Sequence, residues 1–79
     1  MTPAQCRAAR AILNVDQFEV AERAGIARAT VIDFEKGDRT PRPATVAAIR
    51  KVLESAGVEF IAENGGGAGV RLRKVKDEK

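Results

Sequence analysis

Arg28, Ala29, Ile32, Asp33 and Lys36 fall on one side of a short segment whose other side carries Val31 and Phe34. A guanidinium, an ammonium, a carboxylate and apolar groups at helical spacing suit recognition by hydrogen bonding and charge. They do not suit bond making, and the rest of the chain offers no alternative for that. There is no His, a single Cys, and no nucleophile with a recognisable base. One Cys without His cannot hold zinc. The glycine run Gly65–Gly69 follows a would-be strand, but no helix follows it, so it fails as a phosphate cradle. These residues imply no enzyme, no metal and no cofactor.

The elements that must position this face are short. Ala21, Glu22, Arg23 and Ala24 carry one helix, and Gly25 breaks it by supplying the left-handed conformation of a helix C-terminus. Ile26 then plugs inward. A second helix starts near Ala27 and stops at Gly37, with Val31 and Phe34 three residues apart so that, with Ile26, they face a common core. Two helices joined by a tight glycine-containing turn form the helix-turn-helix pattern, whose second helix can lie in a DNA major groove.

Upstream, Thr2-Pro3-Ala4-Gln5 predicts a helix start, with Thr2 as cap, Pro3 at the first helical position and Gln5 completing a capping box. That helix runs to about Leu13 and buries Cys6, Ala9 and Leu13; Cys6 reads as a small core residue. A second capping box is expected at Asp16–Glu19, opening a helix that ends at Ala24 with Val20, Ala21 and Ala24 inward. Its small side chains allow close approach of the two helices. After Gly37 a turn-rich linker, Asp38–Pro43, precedes a fourth helix from Pro43 or Ala44 to about Ala56, with Gly57 as its stop. Val46, Ile49, Val52 and Leu53 form its apolar stripe, and Glu54 can pair with Arg50.

The pattern then changes. Val58–Ala62 has strand-forming residues, Glu63–Gly69 is a glycine loop, and Val70–Val75 alternates apolar and basic residues. A β-hairpin is expected, and an isolated hairpin needs either the helices or a second chain to pack on. Pairing between two subunits is the expectation here. The fold class is thus mainly α, four helices followed by a C-terminal β-hairpin. Its domain organisation reads as a helical domain over residues 1–57, a hairpin over 58–75 and a frayed tail over 76–79.

Composition fits one small soluble domain, with 44% apolar and 32% charged residues among 79. No apolar run approaches the ~20 residues needed to span a bilayer, and the N-terminus lacks the pattern of a signal peptide. The lone cysteine suits a reducing cytoplasm. The net charge is +3, but residues 1–70 hold nine basic and nine acidic side chains, so the excess sits wholly in residues 71–79. Affinity for a polyanion must then come from a local patch together with that tail.

The order of residues from about Cys6 to Leu53 resembles the phage-repressor-like helix-turn-helix family, the lambda and Xre type of bacterial transcription regulators. The resemblance is carried by Arg10, Asp16-Gln17 before Val20-Ala21, Gly25-Ile26, Arg28-Ala29-Thr30-Val31, Glu35-Lys36-Gly37, and Pro41 ahead of Thr45-Val46. It implies a DNA-binding set of Gln17, Arg28, Ala29, Thr30, Ile32, Asp33, Lys36, Arg39 and Arg42. In that set Gln17 holds a phosphate, and Arg28, Ala29 and Asp33 reach base edges. Lys36, Arg39 and Arg42, with the backbone near Gly37, meet the sugar-phosphate chain. Arg10 and Glu35 match a structural salt bridge tying the first helix to the recognition helix. The side-chain chemistry agrees: amides and guanidinium groups donate to phosphate, and Arg fits guanine O6 and N7. Ala27 departs from the Ser or Thr cap common in the family. Ile32 and Asp33 depart from the polar or basic residues common there; Asp33 can accept from cytosine N4, and Ile32 can touch a thymine methyl or a protein.

The function expected is a sequence-specific, double-stranded-DNA-binding regulator of repressor type. It would act as a homodimer in the bacterial cytoplasm, associated with the nucleoid when bound. The alternative is a protein-interaction module on the same fold, an antitoxin or antiactivator, with Ile32, Asp33 and the hairpin facing a protein partner.

Overall fold

The computed structural model describes residues 1–73 and contains four helices followed by a two-stranded ribbon: α1 (Pro3–Leu13), α2 (Gln17–Ala24), α3 (Arg28–Lys36), α4 (Pro43–Ser55), β1 (Val58–Ile61) and β2 (Gly69–Leu72). Several boundaries have a local cause. At the start of α1 the Thr2 side chain accepts from the Gln5 backbone N–H at 3.0 Å, and the Gln5 side chain accepts from the Thr2 N–H at 2.8 Å. Two otherwise orphaned donors are thereby satisfied. α2 opens on half of the same device. Asp16 accepts from the Glu19 N–H at 2.8 Å, but the Glu19 carboxylate pairs with Arg23 at 2.6 Å instead of reaching back. The expected second box is therefore a single cap, because a charged partner one turn on outcompetes a backbone N–H. Gly25 ends α2 at φ 73°, and Gly37 ends α3 at φ 78°, both in the left-handed region that an L side chain seldom adopts. Ala27, the residue before α3, supplies no side-chain cap.

The core sits where the four helices meet. Cys6 and Ala9 of α1, Val20 and Ala21 of α2, Val31 and Phe34 of α3, and Ile49 and Leu53 of α4 are buried together. Leu13, Ala24, Ile26, Val46 and Val52, all expected inside, are half-buried at its margin. Ala21 on α2 and Ala9 on α1 are the small residues that let the helices close on one another.

β1 and β2 pair antiparallel with Val58 opposite Leu72 and Phe60 opposite Val70. Val58 is fully buried in the same cluster as the helical residues, with Phe60 and Val70 packed against it. The ribbon lies on α1 and α4 of its own chain. Gln5 fastens its far end, donating from Nε2 to the carbonyls of Ile61 at 3.1 Å and Gly69 at 2.7 Å. The support that a two-stranded ribbon requires thus comes from the helices beneath it. β1 stops one residue short of the expected Ala62, and β2 opens one residue early at Gly69. Beyond the ladder the Arg73 N–H bonds the Gly57 carbonyl at 2.7 Å. The expected extension to Val75 and the tail over 76–79 lie outside the described residues. Among the described residues, no helix is long and apolar enough to cross a membrane.

Candidate nucleic-acid interface

The outer side of α3 and the loop after it form one continuous surface. Arg28, Ala29 and Lys36 are exposed on the helix, and Thr30, Ile32 and Asp33 are half-buried beside them. Ala29, Thr30 and Asp33 line a shallow depression whose other wall is Arg39 and Pro41 of the loop. Arg42, also exposed, stands at the end of that loop, where its carbonyl accepts the first backbone bonds of α4. Ion pairs among the described residues occupy Arg10, Arg23, Arg50 and Arg71. None of them engages Arg28, Lys36, Arg39 or Arg42, so among the described residues these four cations make no ion pair.

The start of α2 joins this surface through an aromatic contact. The Arg28 guanidinium lies over the Phe18 ring, 4.7 Å from its centroid, within cation–π range. Phe18 is 52% exposed and stands apart from the core cluster. Nothing in the residue pattern marks this pair, since its members are ten residues apart on two helices.

Gln17 is placed differently from an open phosphate clamp. Its Nε2 donates to Glu35 Oε1 at 3.0 Å, which leaves one amide hydrogen and the amide oxygen for anything outside.

Behind the recognition surface, α3 is held by one buried carboxylate. Glu35 is 3% exposed. Arg10 donates to both of its oxygens at 2.7 Å, Cys6 Sγ to Oε2 at 3.1 Å and Gln17 to Oε1. Donors from α1 and α2 thus converge on the last turn of α3. Arg7 adds a further tie, donating to the Glu35 backbone carbonyl, one of the unpaired acceptors at the helix end. Burial alone would raise the Glu35 carboxyl, but the bonds from Arg10, Cys6 and Gln17 hold it below its ordinary range. The Arg10 guanidinium is shifted up by its bond to Glu35. Burial, followed by the bond to Glu35, pushes the Cys6 thiol far up, so it stays protonated and acts as a donor. Sequence reasoning missed the thiol's polar role and the Arg7 tie. Burial of Cys6 was legible from its helical spacing, but which polar group it would meet was not.

The arrangement can donate hydrogen bonds and positive charge from two helix starts and a loop to one extended anionic partner. A rigid frame behind it fixes the spacing of the donors. Residues 7–60 match the family model described as helix-turn-helix. No curated protein matches the chain.

Proposed function

The chain belongs to the Xre- and lambda-repressor-like helix-turn-helix family of DNA-binding transcription regulators, and within it we propose a dimeric, repressor-type regulator that reads an operator with two-fold-related half-sites. The observation that carries this reading is the single surface made by Arg28, Ala29, Thr30 and Asp33 on α3 with Arg39 and Pro41 on the loop. α3 enters the major groove, where Arg28, Ala29 and Asp33 meet base edges, Arg28 by donating to guanine O6 and N7. Thr30 and Ile32 lie along the same groove. Lys36, Arg39, Arg42 and the remaining N–H of Gln17 hold phosphates on either side and set the register. Two copies related by two-fold symmetry place their α3 helices about 34–36 Å apart, one helical turn of DNA. The setting is the bacterial cytoplasm, with the protein on the nucleoid when bound, and the chemistry is binding without catalysis.

Selection from a duplex library with a randomised core tests the reading. Enrichment of a two-fold-related motif, bound with strong salt dependence, is the expected result. Failure to enrich any sequence, or binding indifferent to salt, would remove it.

A second reading takes the same surface as a protein-docking face of an antitoxin or antiactivator. The neutral balance of residues 1–70 and the apolar Ile32 beside Asp33 support it. Co-purification of a stoichiometric protein partner, lost on Ile32→Lys, distinguishes it from a regulator acting alone.

A further inference from the structure

We infer that Phe18 is a specificity-determining residue: by holding the Arg28 guanidinium over its ring it restrains the side chain that presents hydrogen-bond donors to guanine. The inference rests on the DNA-binding reading above and adds to it a residue on α2 that makes no ion pair and belongs to no core.

Three observations converge. Arg28 opens α3 at an exposed position, and no ion pair among the described residues restrains it. A long side chain in that setting loses rotamer entropy when it is pinned by a ligand. Phe18 is the most exposed of the large hydrophobic residues on the helices, at 52%, and it packs outside the core cluster. Its contact with the guanidinium, 4.7 Å from ring centroid to Cζ, is what it does in this structure. With the ring beneath the guanidinium carbon, the side chain is restrained on one side and the N–H groups turned away from the ring remain for a ligand. Guanine offers O6 and N7 side by side, so a guanidinium already restrained forms the bidentate pair with less ordering. A cation held over a ring at an exposed site is worth up to about 1 kcal/mol, or about fivefold in preference.

The experiment uses the full chain and a duplex library with a randomised core, comparing wild type with Phe18→Ala, Phe18→Leu, Phe18→Trp, Arg28→Ala and the Phe18→Ala/Arg28→Ala pair. Each variant's thermal melt is recorded to confirm folding. Wild type is expected to enrich a guanine in each half-site that Arg28→Ala no longer selects. Phe18→Ala and Phe18→Leu should lose about threefold to fivefold of that guanine preference, with unchanged affinity for unselected duplex and an unchanged salt slope. Phe18→Trp keeps an aromatic face and should retain the preference, while Phe18→Ala should add nothing in the Arg28→Ala background. A Phe18→Ala or Phe18→Leu protein that selects guanine as strongly as wild type overturns the inference and leaves the regulator reading standing. So does a loss spread equally over all sequences, or one that persists without Arg28. If wild type enriches no sequence at all, the regulator reading fails first and the inference falls with it.

Discussion

Arg10 on α1 meets both carboxylate oxygens of Glu35 on α3 at 2.7 Å, across 25 residues of sequence. The pair is asymmetric in its exposure, 21% for the Arg10 side chain and 3% for Glu35. It joins α1 to the helix that carries the recognition surface, so its geometry bears on stability and on the placement of Arg28 and Asp33 alike.

Arg10→Met is expected to destabilise the fold toward the lower end of the ~3–5 kcal/mol typical when one partner of a buried pair is removed, because water reaches Arg10. Cys6 and Gln17 remain as donors but carry no formal charge to offset the carboxylate. Adding Glu35→Gln to Arg10→Met removes the uncompensated charge and should recover part of the loss. Urea unfolding of both single variants and the double variant checks this. Additive losses would mean that the two side chains act independently.

The same carboxylate makes stability fall in acid. Glu35 binds its proton at lower pH in the folded chain than in the unfolded one, where the ordinary value is about 4.3. Between the folded value and the unfolded one the unfolded state therefore holds more protons, and stability rises with pH. The contribution is complete above the unfolded value and is lost as pH falls through the folded one. Glu35→Gln should lower stability at neutral pH and flatten the acid limb of the unfolding midpoint against pH. Parallel acid limbs for the two proteins would count against the assignment, since the two differ only at residue 35.

How much of the molecule was legible in its sequence follows from how local each cause is. Gly25 and Gly37 were legible as helix ends because the left-handed turn needs only the glycine itself, and the Thr2–Gln5 box because it closes within one turn. Arg10 and Glu35 entered through the family resemblance, not through spacing. Phe18 over Arg28 depends on how α2 crosses α3, and Gln5 reaches carbonyls 56 and 64 residues away; neither leaves a periodic trace. The alternation in Val70–Val75 could not show where pairing changes. The ladder's last partners are Val58 with Leu72, because β1 emerges there directly from the end of α4.

Phosphate-binding and base-reading side chains should separate by salt and by sequence. Arg39 and Arg42 lie on the loop beside the α3 depression, outside any ion pair among the described residues. Arg39→Ala with Arg42→Ala is expected to weaken binding to all duplexes by a similar factor. It should also reduce the slope of log K against log salt by about 0.9 for each phosphate no longer neutralised. Arg28→Ala should instead cost roughly 1–3 kcal/mol on the selected operator alone. Titration of selected and unselected duplexes at several salt concentrations distinguishes the two patterns, and identical patterns for the loop and helix variants would dissolve the division of labour.

The dimer proposed for a two-fold operator is tested best at Leu72. Side chains directly opposite one another in the ladder share a face, so Val58, Phe60, Val70 and Leu72 line one side of the ribbon. Val58 is buried in the common core, and removing the ribbon would open that core; a truncated chain that failed to dimerise would show little beyond damage to the fold. Leu72 is 60% exposed on the same side, an apolar group that the described residues leave uncovered. Leu72→Lys should leave the thermal melt within the small range typical of surface substitutions, about 0.5 kcal/mol either way. It should also shift sedimentation from dimer to monomer at concentrations where wild type is dimeric. A dimer that survives the lysine would move the interface to another face. A wild-type chain that is monomeric at high micromolar concentration would end the dimer proposal, and the recognition surface would then read a single half-site.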